Sequence, residues 1–169
     1  MSSAFRHSAG FGRRMEYWII GKMLKEGLDV YVPLVDDFGI DAIVRRPDGE
    51  FVECQIKARS SRVIHGDAAL FASIRHDLRK NYYFIFYAER IDTTWILSSE
   101  EFIKLSVLNK TGKNKGSRSV WFNGTRKMPG QSEPVEYVKP QWLPYVAPNF
   151  SRISPPTLRG NAHAVISDD

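Results

Sequence analysis

The chain has little from which to build a disulfide or zinc framework. Cys54 is its single cysteine, and only four histidines are scattered over 169 residues. An internal disulfide is excluded, and no structural zinc is expected, because such sites draw on clustered Cys and His at short spacings. Long apolar runs are also missing. Tyr17 to Ile20 is closed by Gly21 and Lys22, far short of the ~18 residues a membrane span needs and too short for a signal-peptide core. Acids are outnumbered, 19 against 24 Lys and Arg, for a net charge of +5. That balance favours an anionic partner such as nucleic acid. Residues 1–15 hold no acid and faintly imitate a transit peptide; they read as a loose N-terminus, and a cytoplasmic location is expected. A 43% hydrophobic content is enough for one packed domain.

What is present centres on Gly39 to Lys57. Two short strands flank Pro47-Asp48-Gly49, a sequence with turn chemistry. In the second strand Val52, Cys54 and Ile56 alternate with Glu53, Gln55 and Lys57, so the two sets face opposite ways. Hairpin pairing brings Asp41, on the first strand, close to Gln55 and Lys57. A carboxylate, an amide oxygen and an ammonium at one spot suit metal-assisted phosphodiester cleavage. Mg²⁺ takes oxygen ligands and typically uses one or two carboxylates plus substrate phosphate. Lys57 can hold the attacking water or offset charge on the phosphate.

An Asp followed fourteen positions later by an acid or Gln, any residue, then Lys, across a hairpin, resembles the PD-(D/E)XK nuclease superfamily. Gly39-Ile40-Asp41 with Gln55-Ile56-Lys57 is most similar to the Mrr-like branch, where Gln replaces the second acid. The resemblance spans about Gly12 to Ser98. It implies an α/β restriction-endonuclease-like core, a mixed sheet flanked by helices. It further implies a Mg²⁺ cofactor, for which Mn²⁺ can substitute, and a DNA substrate ahead of RNA. Gln55 leaves such a site one negative charge short. Glu53, on the same strand face, either compensates or pairs with Arg59 or another surface cation.

Arg13 to Glu26 reads as a first helix ended by Gly27. Ile19, Ile20, Met23 and Leu24 fall on one arc, and Glu16 lands within it. A carboxylate aimed at a core needs a partner. Either it forms a salt bridge in the first turn, or it points towards Asp41. The resemblance implies the second, because several Mrr-like nucleases and archaeal Holliday-junction resolvases carry a first-helix Glu that completes the metal site. The site is therefore expected to comprise Glu16, Asp41, Gln55 and Lys57, with Asp41, Gln55 and Glu16 holding metal.

Leu28 to Leu34 reads as the first strand, with Asp36 and Asp37 in the loop after it. Arg59 and Arg62 lie in a loop suited to phosphate contacts. Asp67 to Lys80 has Leu70, Phe71, Ile74 and Leu78 at helical spacing and reads as a crossover helix, with Arg75, His76, Arg79 and Lys80 on or near its polar side. Asn81 to Ala88 and Thr94 to Leu97 are continuous apolar runs, as in central strands covered on both faces. Ser98 or Ser99 caps a short helix running to Leu108. Residues 109–118 carry Lys110, Lys113, Lys115 and Arg118 without an acid, a loop that is either merely solvated or a clamp on a nucleic-acid backbone. Ser119–Phe122 and Pro134–Val138 suit a peripheral hairpin. The organisation expected is one domain over 1–139 with its core at 12–108. A Pro-rich tail over 140–169 carries Trp142, Leu143, Tyr145 and Phe150 as anchors. The function expected is a metal-dependent endonuclease, with homodimerisation left open. The alternatives are a non-catalytic nucleic-acid-binding module on the same fold, or a partner-interaction protein using the tail.

Overall fold

The computed structural model describes residues 8–35 and 38–155; Asp36, Asp37 and the end of the tail lie outside this range. The first helix, α1 (Ser8–Lys25), starts earlier than its apolar spacing suggests and places Lys22 and Lys25 in its last turn, where cations suit the helix dipole. It ends where Gly27 turns the chain at φ +83°, with Leu28 N–H donating to the Met23 carbonyl at 3.1 Å. Ile19, Ile20 and Met23 are buried, but Leu24 is 55% exposed, so the apolar arc is narrower than expected.

β1 (Asp29–Tyr31), β2 (Ala42–Arg45), β3 (Phe51–Arg59), β5 (Tyr82–Ala88) and β6 (Thr93–Ser98) form a five-stranded sheet in the order β1-β2-β3-β5-β6. β3 and β5 run parallel and the other pairs antiparallel, which makes the sheet mixed. Alternation along the strands divides its side chains into two cores. Val52, Cys54, Ile56 and Ile85 pack with Ile19, Ile20 and Met23 of α1. Phe84, Phe86, Trp95 and Leu97 face the other way, towards Phe102 of α2 (Ser99–Leu105) and towards Phe71, Val120 and Phe122. α2 is capped as expected. Ser98 accepts from Glu101 N–H while Glu101 reaches back to Ser98 N–H, the reciprocal capping box.

Residues 67–80 are not a helix. β4 (Leu70–Ile74) instead joins β7 (Val107–Leu108) and β8 (Arg118–Trp121) in a second sheet, ordered β4-β8-β7, which covers the aromatic face. The misleading spacing has a physical origin. Phe71 pairs with Val120 and Ile74 with Arg118, so Ala72 and Ser73 together oppose Ser119 alone. This β-bulge puts the buried residues three apart, and a strand then imitates a helix. Leu78, the residue that completed the pattern, is 69% exposed. The helix expected to reach Leu108 stops at Leu105, because Val107 and Leu108 pair with β8. The peripheral hairpin is formed by β9 (Asn123–Arg126) and β10 (Val135–Val138), not by residues 119–122, which β4 and β7 take.

The Pro-rich segment opens with a short 3-10 helix over Pro140–Tyr145. Trp142 is buried in the aromatic core, and Phe150 and Ile153 are buried in the aliphatic one. No helix among the described residues is long and apolar enough to cross a membrane.

Candidate active site

The β2–β3 hairpin sets the geometry. Ala42 pairs with Cys54, which puts Asp41 across from Gln55. Asp41 is buried, its N–H donates to the Cys54 carbonyl at 2.9 Å, and its Oδ2 accepts from Ile56 N–H at 2.7 Å. Residue 41 thus extends the ladder past the end of β2, held to β3 by its own N–H and by one carboxylate oxygen. Gly39 completes the arrangement. It sits at φ +68°, and a Cβ added there would collide with Gln55 Nε2, so the Gln55 amide fills the hollow that glycine leaves. Tyr82 Oη donates to the Gly39 carbonyl at 2.6 Å, pinning this approach to the sheet.

Gln55 and Lys57 project from the face opposite α1 into a cleft of about 270 Å³ that they line with Arg59, Ser73, Ile74 and Arg75. β3 supplies one wall and the bulged β4 the other. Arg75 also borders a second hollow, of about 550 Å³, with Phe38, Arg79 and Gly116. The two openings therefore meet at Arg75 and lead to the loop that carries Lys110, Lys113 and Lys115, all three exposed. That loop is folded back on itself, with Asn109 N–H donating to the Ser117 carbonyl at 2.9 Å and Gly116 N–H to the Asn109 carbonyl at 2.9 Å. Arg59 and Arg75 thus border the first hollow, and Arg75 and Arg79 the second, which Asp77 also lines.

The other expected residues have different surroundings. Glu16 belongs to the helix that packs on the aliphatic face, and Arg13 Nη1 lies 2.8 Å from its Oε2. That oxygen is shielded from solvent and has no well-aligned hydrogen bond. The salt bridge, one of the two readings of this residue, is therefore present on the aliphatic face. Glu53 pairs with Arg79 Nη2 at 2.5 Å, so it meets a surface cation as one of its two readings had it, although the cation is not Arg59. Arg59 Nε donates to the Asp67 carbonyl at 3.4 Å, while Arg62 is exposed. Arg118 is half-buried and bonds the Ile103 carbonyl at 2.9 Å, so its guanidinium braces the end of α2.

Among the described residues no group of three His, Cys, Asp or Glu draws together into a metal cluster. The oxygen donors are the Asp41 carboxylate and the Gln55 amide. This hard, oxygen-only set suits Mg²⁺, which keeps several waters and completes its shell with phosphate. His76 is not a candidate base. Its ring packs 4.8 Å from Tyr82 and 4.7 Å from Phe84, and burial, aided by the Arg79 charge, pushes its pKa down to about 4. Its Nε2 meets Ser99 Oγ at 2.7 Å, and Ser99 is only 1% exposed, so that ring nitrogen is engaged in the interior. Burial likewise pushes the Cys54 thiol up to about 12, leaving it an inert core group.

The wall formed by β4 was not legible in the sequence, because the bulge hid the strand. Arg75 was visible as a cation, but not as the residue joining two hollows.

The fold is similar to that of a bacterial homing endonuclease. Superposed on I-Ssp6803I, the chain gives a TM-score of 0.54 over 83% of its length and 89% of that chain, at 16% identity. No family model and no curated protein matches the sequence.

Proposed function

We propose that the protein is a Mg²⁺-dependent endonuclease of the PD-(D/E)XK type that hydrolyses phosphodiester bonds in DNA. The observation that carries this reading is the strand register that sets Asp41 opposite Gln55, with Gln55 and Lys57 together lining one cleft. The likeness of the fold to a homing endonuclease and the bordering cations support it.

A bound divalent ion supplies Lewis-acid polarisation of the phosphate and a more acidic water. Asp41 and Gln55 would hold it; Glu16, on the helix that covers the other face of the sheet and paired there with Arg13, stands outside this donor set. Asp41, fixed by two backbone contacts, needs no reorganisation to bind. Lys57 donates to the attacking water or to a non-bridging phosphate oxygen, placing positive charge where negative charge grows. The water oxygen bonds to phosphorus as the opposite P–O ester bond breaks. The water proton goes to solvent, and the leaving oxygen takes a proton from solvent.

The test is nicking of supercoiled plasmid with Mg²⁺ or Mn²⁺. Lys57→Ala should lose about 10²–10³-fold in rate, the usual effect of deleting a charge-stabilising donor. Asp41→Asn should lose metal-dependent cleavage while remaining folded, since an amide oxygen still accepts from Ile56 N–H. Full activity in either variant would remove the assignment. A neutral Gln55 in place of an acid favours one competing reading, a nucleic-acid-binding module without catalysis. Under it, duplex binding survives chelator and no preparation cuts.

A further inference from the structure

We infer that Ser73 is a substrate-positioning residue, its hydroxyl donating to a phosphate oxygen of the DNA backbone held against Lys57. This rests on the nuclease reading and adds to it a residue that no motif contains.

The first observation is conformational. Ten described residues adopt positive φ: seven are glycine, and the others are Asn81, Asp92 and Ser73, at φ +61°. Glycine bears no penalty in this region, and Asn and Asp are the side chains that enter it most readily. Serine lacks both advantages. A residue held in this conformation stores strain, and strain of this kind gathers at functional sites. Glycine would relieve it, yet the chain keeps a hydroxymethyl group.

The second observation is where that group is. Ser73 is the extra residue of the β4 bulge, opposite Ser119, and it lines the cleft with Gln55, Lys57 and Arg75. Bulges re-aim side chains beside active sites, and this one turns both Ala72 and Ser73 outward while Phe71 and Ile74 stay buried. β4 is also an edge strand, paired only with β8 among the described residues. No side chain among the described residues bonds the Ser73 hydroxyl. The hydroxyl therefore stands as an unused donor on the wall facing Lys57, in a cleft bordered by cations. Phosphate is the ligand that takes a neutral hydroxyl donor together with ammonium and guanidinium groups, and such contacts fix strand register without reading bases.

The experiment uses the full chain and a fluorescein-labelled DNA duplex, with binding read in Ca²⁺ and cleavage in Mg²⁺. Ser73→Gly should leave the melting temperature unchanged or raised, weaken duplex binding about three- to ten-fold, and raise KM with kcat nearly unchanged. Ser73→Asn, which tolerates positive φ and keeps a donor, should recover much of the lost affinity. Duplexes with one methylphosphonate at successive positions sharpen the test. Wild type should lose affinity at one position where Ser73→Gly loses nothing further. Wild-type affinity and KM in Ser73→Gly, with cleavage intact, would overturn the inference and leave the nuclease reading standing. A wild-type protein that neither binds nor cuts would overturn both.

Discussion

Phe84 and Ile85 are neighbours on β5 whose side chains leave the sheet on opposite faces, and they stand for two very different cores. Both are wholly buried. Ile85 joins a face rich in Ile, Val, Ala and Met side chains covered by α1. Phe84 joins a face built from rings, its centroid 4.3 Å from that of Phe102 and 5.6 Å from that of Phe86, covered by α2 and the second sheet. A helix settles closely onto a sheet of branched aliphatics. On the other face a second sheet, stacked at the usual spacing of about 10 Å, encloses a layer filled by rings. The cleft lies at the margin of the ring-filled face, where the bulge bends β4 as it borders Lys57.

The widest break in this comparison comes from removing a ring. Phe84→Ala should cost about 3–5 kcal/mol in urea unfolding, against about 1 kcal/mol for Ile85→Val next to it on the strand. Equal losses would mean that the aliphatic core is the less forgiving, since Ile85→Val removes a single methyl group. Acid should separate the faces next. His76 is held neutral in the folded state to about pH 4, well below its ordinary 6.5. The unfolded chain therefore binds the extra proton first, and stability contributed above pH 6.5 is lost as pH falls from 6.5 towards 4. His76→Phe should flatten that decline in a pH series of melting temperatures. On the aliphatic face, Cys54 and Tyr87 are both pushed up to about 12 by burial, so they stay neutral throughout that range. The smallest effect concerns the margin. Neutralising Lys110, Lys113 and Lys115 together should lower the salt slope of DNA binding by roughly one unit for each lysine that meets a phosphate, with unchanged unfolding. An unaltered slope would make the loop a solvated turn.

The hairpin was readable because two local signals agreed: period-two alternation in Val52 to Lys57 and a Pro-Asp-Gly turn. Together they set the register, and with it the meeting of Asp41 and Gln55. The continuous apolar runs at 81–88 and 94–97 marked two covered strands, although the second, β6, lies at the sheet's edge and not its centre; that the sheet is mixed came from the resemblance. β4 did not follow, because one inserted residue converts a strand's spacing into a helix's, and no local signal marks the insertion. The pairing of Glu53 with Arg79 spans 26 residues, and the brace from Arg118 to Ile103 spans 15. Such partners depend on how sheets stack, which alternation does not encode. Of the two readings of Glu16, the structure forms the salt bridge, with Arg13 one turn earlier; the orientation towards Asp41, which the resemblance implied, is not what the helix's place on the aliphatic face provides.

The placement of Trp142, Phe150 and Ile153 bears on the order in which the molecule can be made. Domains generally fold as units during synthesis, N-terminal parts first. Here β4 has no partner strand until residues 118–121 exist, and both faces of the central sheet wait for side chains between 142 and 153. The wall of the cleft and the lacing of the cores thus arrive late on the ribosome. A growing chain carries Asp41, Gln55 and Lys57 long before it can present them to a substrate. A chain released after residue 139 should accordingly show a weakened near-UV signal and no measurable cleavage, and a native-like spectrum from it would show that the early strands close by themselves.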